Sequence, residues 1–185
     1  VITTGGEGGF VLTADDEHAD RIRRLRSHGE GPDGGRYLWS HEVGYNYRLT
    51  AMQAAIGLSQ FKRLDELVDA RRANAAHLTR RLDGVPGLEL PVEPPGTTHA
   101  YWRYVVRSVS RPAERLMDEL RAEGVPVMMR YPYPVHRQPA FAAYPRSCPV
   151  AERLSAELLT IPAHPALRPE HLDAIADRII AVLDR

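Results

Sequence analysis

Apolar residues recur at helical spacing in three long stretches of the chain. In the longest, Phe61, Leu64, Val68, Ala75, Leu78 and Leu82 stand three, four or seven apart, the period of one helix face. Thr50 and Gln53 form the capping box Thr-x-x-Gln ahead of that run, which predicts a single helix from 50 to about 82. At about 1.5 Å per residue it would be on the order of 45 Å long, enough to bridge two substructures. A second stripe, Leu172, Ile175, Ala176, Ile179, Ile180 and Leu183, predicts a closing helix over 169–183 with Pro169 at its first position. A third helix is expected from Asp15 or Asp16 to Arg26, with Ala19, Ile22 and Leu25 on one face and Gly29 as the stop.

Shorter patterns fill the remainder. Residues 112–122, with Leu116, Met117 and Leu120 inward, and residues 150–158 read as helices. Aromatic and β-branched residues mark strands at 100–109 and 125–129, with shorter ones at 9–13 and 88–90 and an apolar LLTIP segment before the last helix. Glycine, proline and polar residues punctuate these elements. They form a loop at 27–43, a linker holding Pro86, Pro91, Pro94 and Pro95, and a proline-rich loop at 131–149. The order predicts an α/β fold class: the end of an α/β domain (1–49), then a long linking helix and a small α+β domain (50–185). No internal repeat is visible.

Composition removes several function classes. Twenty-four basic residues balance twenty-four acidic ones, so nothing recommends a nucleic-acid or membrane-surface partner. No apolar run approaches the roughly 18 residues of a membrane span, and no signal peptide is visible. The single cysteine, Cys148, rules out an intramolecular disulfide and suits a reducing cytoplasm. The chain opens on Val1, as a fragment or a processed piece would. It holds twenty-three arginines against one lysine, Lys62, so lysine chemistry falls on Lys62 or on residues outside the chain.

The richest local chemistry lies in GYNYRLTAMQAA at 44–55. Tyr45, Asn46, Tyr47 and Arg48 supply an amide, a guanidinium and two phenols ahead of a capped helix, a mixture suited to phosphate or another oxyanion on a rigid support. The glycine run TGGEGG at 4–9 could bring backbone N–H groups to an anion. It is neither a P-loop nor a dinucleotide fingerprint, and as a tight turn it would use Glu7 as a hydrogen-bond acceptor. Most histidines are scattered without metal spacing. His28 and His136 differ, each lying in a Gly- or Pro-rich loop beside aromatic or basic neighbours.

Taken in order, ITTGGEGGFVLT, LRSHG, GYNYRLTAMQAAIGLSQFKRLDEL, HAYWRYVVR, YPVHRQPAF and LLTIPAHPAL resemble one family. The chain is similar to the carboxy-terminal half of the DegT/DnrJ/EryC1/StrS sugar aminotransferases, which use pyridoxal 5'-phosphate (PLP) on a fold-type I scaffold. The resemblance runs from Ile2 to the last helix. It implies transfer of an amino group from glutamate or glutamine to a nucleotide-linked keto sugar or a ketocyclitol, in a cytoplasmic homodimer with shared active sites. The family's Schiff-base lysine lies just upstream of the glycine turn. With the two-glycine form seen here it would immediately precede Val1; with the commoner spacing it would fall on Val1. Either way no catalytic residue is expected within the 185 residues.

By the same resemblance, Asn46 matches an asparagine that reaches the PLP phosphate of the neighbouring subunit, flanked by Tyr45 as a second cofactor contact. Among substrate-binding candidates, Arg48 flanks Asn46 and would serve the same site or the sugar nucleotide, His28 matches a loop near the active-site mouth, and His136 matches a histidine near the sugar. Two alternatives stay open. One is a PLP- or PMP-dependent sugar dehydratase of the same family, which would have histidine in place of the lysine. The other is a non-catalytic dimerising fragment.

Overall fold

The computed structural model describes residues 2–31 and 39–185; Val1 and the 32–38 part of the predicted loop lie outside the described residues. The chain forms two compact units, Ile2–Leu64 and Asp65–Arg185.

In the first unit, helix α1 spans Asp16–Arg26, and the Asp15 carboxylate caps it by accepting from His18 N–H at 2.9 Å. Helix α2 spans Ala51–Phe61 behind the Thr50–Gln53 capping box. The expected strand at 9–13 does not form. No neighbouring strand offers it a ladder among the described residues, and Phe10, Val11 and Leu12 stay exposed.

The predicted long helix is two helices. After α2, Lys62 and Arg63 form a turn, and helix α3 runs over Leu64–Leu82. The Arg63 N–H bonds to the Gln60 carbonyl at 3.0 Å, a three-residue closure that tightens the last turn and ends the ladder. Asp65 and Glu66 then fall in the first turn of α3, where carboxylates suit the positive end of a helix dipole. The apolar spacing crosses the break, so periodicity alone could not show it.

The second unit is built on a three-stranded antiparallel sheet in the order β1 (Leu88–Glu89), β2 (Tyr104–Ser108), β3 (Leu158–Ile161). Tyr104 pairs with Ile161 and Arg107 with Leu158. The expected strand at 125–129 contributes only a bridge between Met128 and Thr160. Helices α4 (Ala113–Ala122), α5 (Pro149–Glu157) and α6 (Pro169–Leu183) complete the unit. Its core gathers Leu78 and Leu82 of α3, Val106 and Leu159 of the sheet, Leu116 and Leu120 of α4, and Leu172 and Ile179 of α6. Each such side chain contributes roughly 1.5–3 kcal/mol by leaving water. The one phenol in this core, Tyr104, meets Thr79 Oγ1 at 2.8 Å, which satisfies its hydroxyl. Among the described residues no helix is long and apolar enough to cross a membrane.

Candidate functional site

Two segments of the first unit are laced together by backbone hydrogen bonds. Tyr45 N–H donates to the Leu25 carbonyl (3.0 Å), Tyr47 N–H to Arg26 (2.9 Å), and His28 N–H to Tyr45 (3.0 Å). Ser27 and Asn46 form the antiparallel bridge at the centre. His28, Tyr45 and Asn46 are thereby set side by side, and Arg48 follows one turn on.

The crossing needs glycine on both strands. Gly29 has φ +74°, and a Cβ there would lie 1.7 Å from the Glu42 carbonyl oxygen; a Cβ on Gly44 would lie 2.2 Å from Gly29 N. Glu42 also ties the crossing to α1, accepting from Arg24 Nε at 3.1 Å and Arg21 Nε at 3.2 Å. Partial burial pushes the Glu42 carboxyl up, but the Arg24 and Arg21 guanidiniums overcome it and hold the group below the usual carboxylate range.

Asn46 makes an Asx turn, its Oδ1 accepting from Arg48 N–H at 3.3 Å. That bond occupies the oxygen end of the amide, so the NH₂ end is the half left to donate to a ligand. The Tyr45 and Tyr47 rings stack beside it, centroids 5.6 Å apart. Exposed Asn46, Tyr45 and Arg48 thus present amide, phenol and guanidinium donors on a backbone held by a capped helix.

The glycine turn joins this support through a residue whose second role the sequence did not reveal. Gln53 completes the capping box with Oε1, and its Nε2 donates to the Glu7 carbonyl at 3.1 Å. Glu7 is therefore an acceptor that holds the turn, through its main chain. Beside the turn lies a trough of about 700 Å³ bounded by Ile2, Phe10, Leu12, Leu49, Leu58 and Phe61 among others. Its walls are nearly all apolar and include none of the nominated site residues.

His136 belongs to the second unit, on a 3-10 turn over Val135–Arg137. Its Nε2 meets Glu152 Oε1 at 2.9 Å, while Arg137 Nη2 donates to Glu152 Oε2 at 2.8 Å and Cys148 N–H to Oε1 at 3.0 Å. Arg137, the Cys148 amide and His136 together hold the Glu152 carboxyl down to about 2. An ionised Glu152 accepts only, so in this bond His136 donates from Nε2 and its Nδ1 edge is turned away from Glu152. The imidazole borders a cavity of about 550 Å³ with Arg130, Tyr131, Tyr133 and Gln138 among its polar walls and Val135, Leu154 and Leu158 among its apolar ones. Glu152, Tyr131 and Tyr133 escaped the sequence reading. Glu152 lies in the first turn of α5, a position the helix start alone accounts for, and its partners are fixed only by the fold.

The sequence pattern of the DegT/DnrJ/EryC1/StrS aminotransferase family matches residues 1–180. The chain belongs to that family. Among curated relatives, it is 39% identical over 175 residues to the dTDP-3-amino-3,4,6-trideoxy-alpha-D-glucose transaminase of Streptomyces venezuelae, covering 92% of this chain and 44% of the relative. It is 36% identical over 179 residues to a pleiotropic regulatory protein of Geobacillus stearothermophilus, covering 94% and 46%. It superposes on the crystal structure of S. venezuelae DesV with a TM-score of 0.86 at 33% identity, covering 94% of this chain and 46% of that one. The chain spans about half the length of the curated relatives it matches. The mixed helix and strand content and this superposition agree with the α/β fold class expected from the sequence.

Proposed function

We propose that the protein to which this chain belongs is a PLP-dependent aminotransferase that moves an amino group from glutamate or glutamine to a nucleotide-linked keto sugar or ketocyclitol. Family membership supports the reaction class, and one geometric observation supports the site. The Ser27–Asn46 bridge brings the backbones of His28, Tyr45 and Asn46 together, with Arg48 two residues on, which supports this reading.

The donor set suits the cofactor's phosphate. With Oδ1 committed to Arg48 N–H, Asn46 offers a neutral N–H pair to an oxyanion, and Tyr45 adds a phenol. In a homodimer these groups would hold the phosphate of the neighbouring subunit's PLP. PLP, when bound, supplies the electron sink for amino transfer. Arg48 offers a charged donor to the diphosphate of the sugar nucleotide, and His28, beside Tyr45, a ring nitrogen to the same ligand. In the second unit His136, oriented through Nε2 by Glu152, presents Nδ1 to a sugar hydroxyl. Lys62, the sole lysine, is exposed at the C-terminal cap of α2 and has no part in this assignment. By the resemblance, the reacting lysine would lie upstream of Val1 and the enzyme would work in the cytoplasm.

The test uses the full-length protein with PLP, glutamate and a keto-sugar nucleotide. The cofactor's absorbance should change on adding glutamate and revert on adding the keto sugar. A protein that carries the upstream lysine and shows no such change would sink the reading.

A further inference from the structure

Arg71 Nε and Thr160 Oγ1 are buried atoms without a hydrogen-bond partner among the described residues, and both residues border one cavity of about 370 Å³ in the unit Asp65–Arg185. Trp102, Arg103, Met128 and His164 form other walls. Arg71 stands on α3, where its Nη1 donates to the carbonyls of Trp102 at 3.1 Å and Tyr101 at 3.5 Å. These bonds fix the guanidinium plane and leave Nε with nothing to donate to. Arg103 lies over the Trp102 ring, 4.0 Å from its centroid, and its Nη1 reaches Met128 Sδ at 3.7 Å.

Neither guanidinium has a carboxylate within salt-bridge reach among the described residues, whereas Arg72, Arg81, Arg107 and Arg111 each do. No aspartate or glutamate borders the cavity. Burial pushes the Arg71 guanidinium's pKa down, the mark of a charge carried without a partner. Folded proteins keep few buried donors unpaired, and here two residues that each hold an unpaired buried atom, and two cations without a carboxylate partner, border one cavity.

We propose that this cavity binds a small oxyanion, a carboxylate or a phosphate, held by Arg71 and Arg103 with the Thr160 hydroxyl as a further donor. A guanidinium presents its N–H groups in a fixed fork that matches both groups. The volume falls within the range of ligand pockets, and the apolar walls of Pro126, Ile161 and Pro162 limit the screening that weakens charge pairs in water. The site is argued from the Asp65–Arg185 unit alone and does not rest on the aminotransferase reading.

Trp102 is a local reporter, since it borders the cavity beneath Arg103 and its indole signal is assigned by its loss in Trp102→Phe. The intact protein, labelled with ¹⁵N in its tryptophans and held at constant ionic strength with excess PLP, is titrated separately with inorganic phosphate and with glutarate. A saturable shift of the Trp102 indole N–H, with Trp39 unmoved, is expected from at least one anion. Phosphate alone, glutarate alone or both would each support the site and name its chemistry. Arg71→Gln and Arg103→Gln should each weaken the response at least roughly tenfold, the loss of one charge-assisted bond. Arg103→Gln decides where Arg71→Gln fails to fold, because Arg71 also anchors two backbone carbonyls. No saturable shift with either anion, or an unchanged dissociation constant in Arg103→Gln, overturns the proposal.

Discussion

Gln53 donates its Nε2 hydrogen to the carbonyl oxygen of Glu7, 3.1 Å away and 46 positions earlier in the chain. The same side chain closes the capping box through Oε1. One amide therefore fixes both the start of α2 and the position of the glycine turn against it. The two roles can be separated. Gln53→Glu keeps the acceptor for Thr50 N–H and loses the donor, so it should cost about 0.5–1.5 kcal/mol, one net hydrogen bond. Gln53→Ala removes both and should cost more, about 1–3 kcal/mol in all. Urea unfolding midpoints rank the variants. Equal midpoints for Gln53→Glu and the unmodified protein would mean that the Glu7 bond contributes nothing.

Gly29 meets Gly44 at the crossing that sets His28 beside Asn46. Alanine at 29 suffers twice, from the left-handed φ of +74° and from a Cβ placed 1.7 Å from the Glu42 carbonyl oxygen. Backbone strain alone is worth roughly 1–3 kcal/mol, and the clash must be relieved by parting the strands. Gly29→Ala should therefore lose amide protection at Tyr45 and Tyr47, whose N–H groups bond to 25 and 26. Gly84→Ala is the comparison, with φ +73° and open space around its Cβ. It should pay the strain and leave that protection intact, as hydrogen exchange would show.

The contrast between these positions also explains what the sequence made legible. Elements defined by local chemistry were readable: the Asp15 cap, the Thr50–Gln53 box and Pro169 at the start of α6 all stand where residue type and spacing place them. Asn46 and Tyr45 could be nominated because loop and capped helix are contiguous. The unreadable features depend on partners distant in sequence. Residues 10–12 have strand-forming side chains but, among the described residues, no strand beside them. The helix break at 62–63 leaves the apolar spacing intact. Glu152 gains its three contacts only when 136–137 and 148 fold against α5.

Glu152 also gives a pH signature with a definite sign. Its carboxyl lies at about 2 in the folded chain against an ordinary 4.5, so the folded state favours the ionised form. The stability it contributes is fully present above about pH 4.5 and is lost as pH falls toward 2. Glu152→Gln cannot ionise. It should be less stable than the unmodified protein at neutral pH, with the difference shrinking through this window and vanishing below it. Thermal unfolding of both proteins between pH 7 and the acid limit checks the slope. A difference independent of pH would show that Glu152 acts through packing and hydrogen bonding alone.

Asn46 can be tested by two substitutions that split its amide. Asn46→Asp keeps an oxygen to accept from Arg48 N–H, so the turn survives, but it removes the NH₂ donor and adds a negative charge. Asn46→Ala removes donor and acceptor without adding charge. If the NH₂ end holds a phosphate, loss of one bond to that anion should weaken PLP binding by about 1.5–3 kcal/mol, roughly 10- to 100-fold, in Asn46→Ala. Asn46→Asp should be weaker still, because like charge faces the ligand, despite preserving the local fold better. A turn-stabilising role predicts the opposite order, with aspartate the milder change. Spectroscopic titration of the full-length protein with PLP, run beside circular dichroism of each variant, distinguishes the two. Aspartate binding PLP as well as asparagine does would remove Asn46 from the phosphate site.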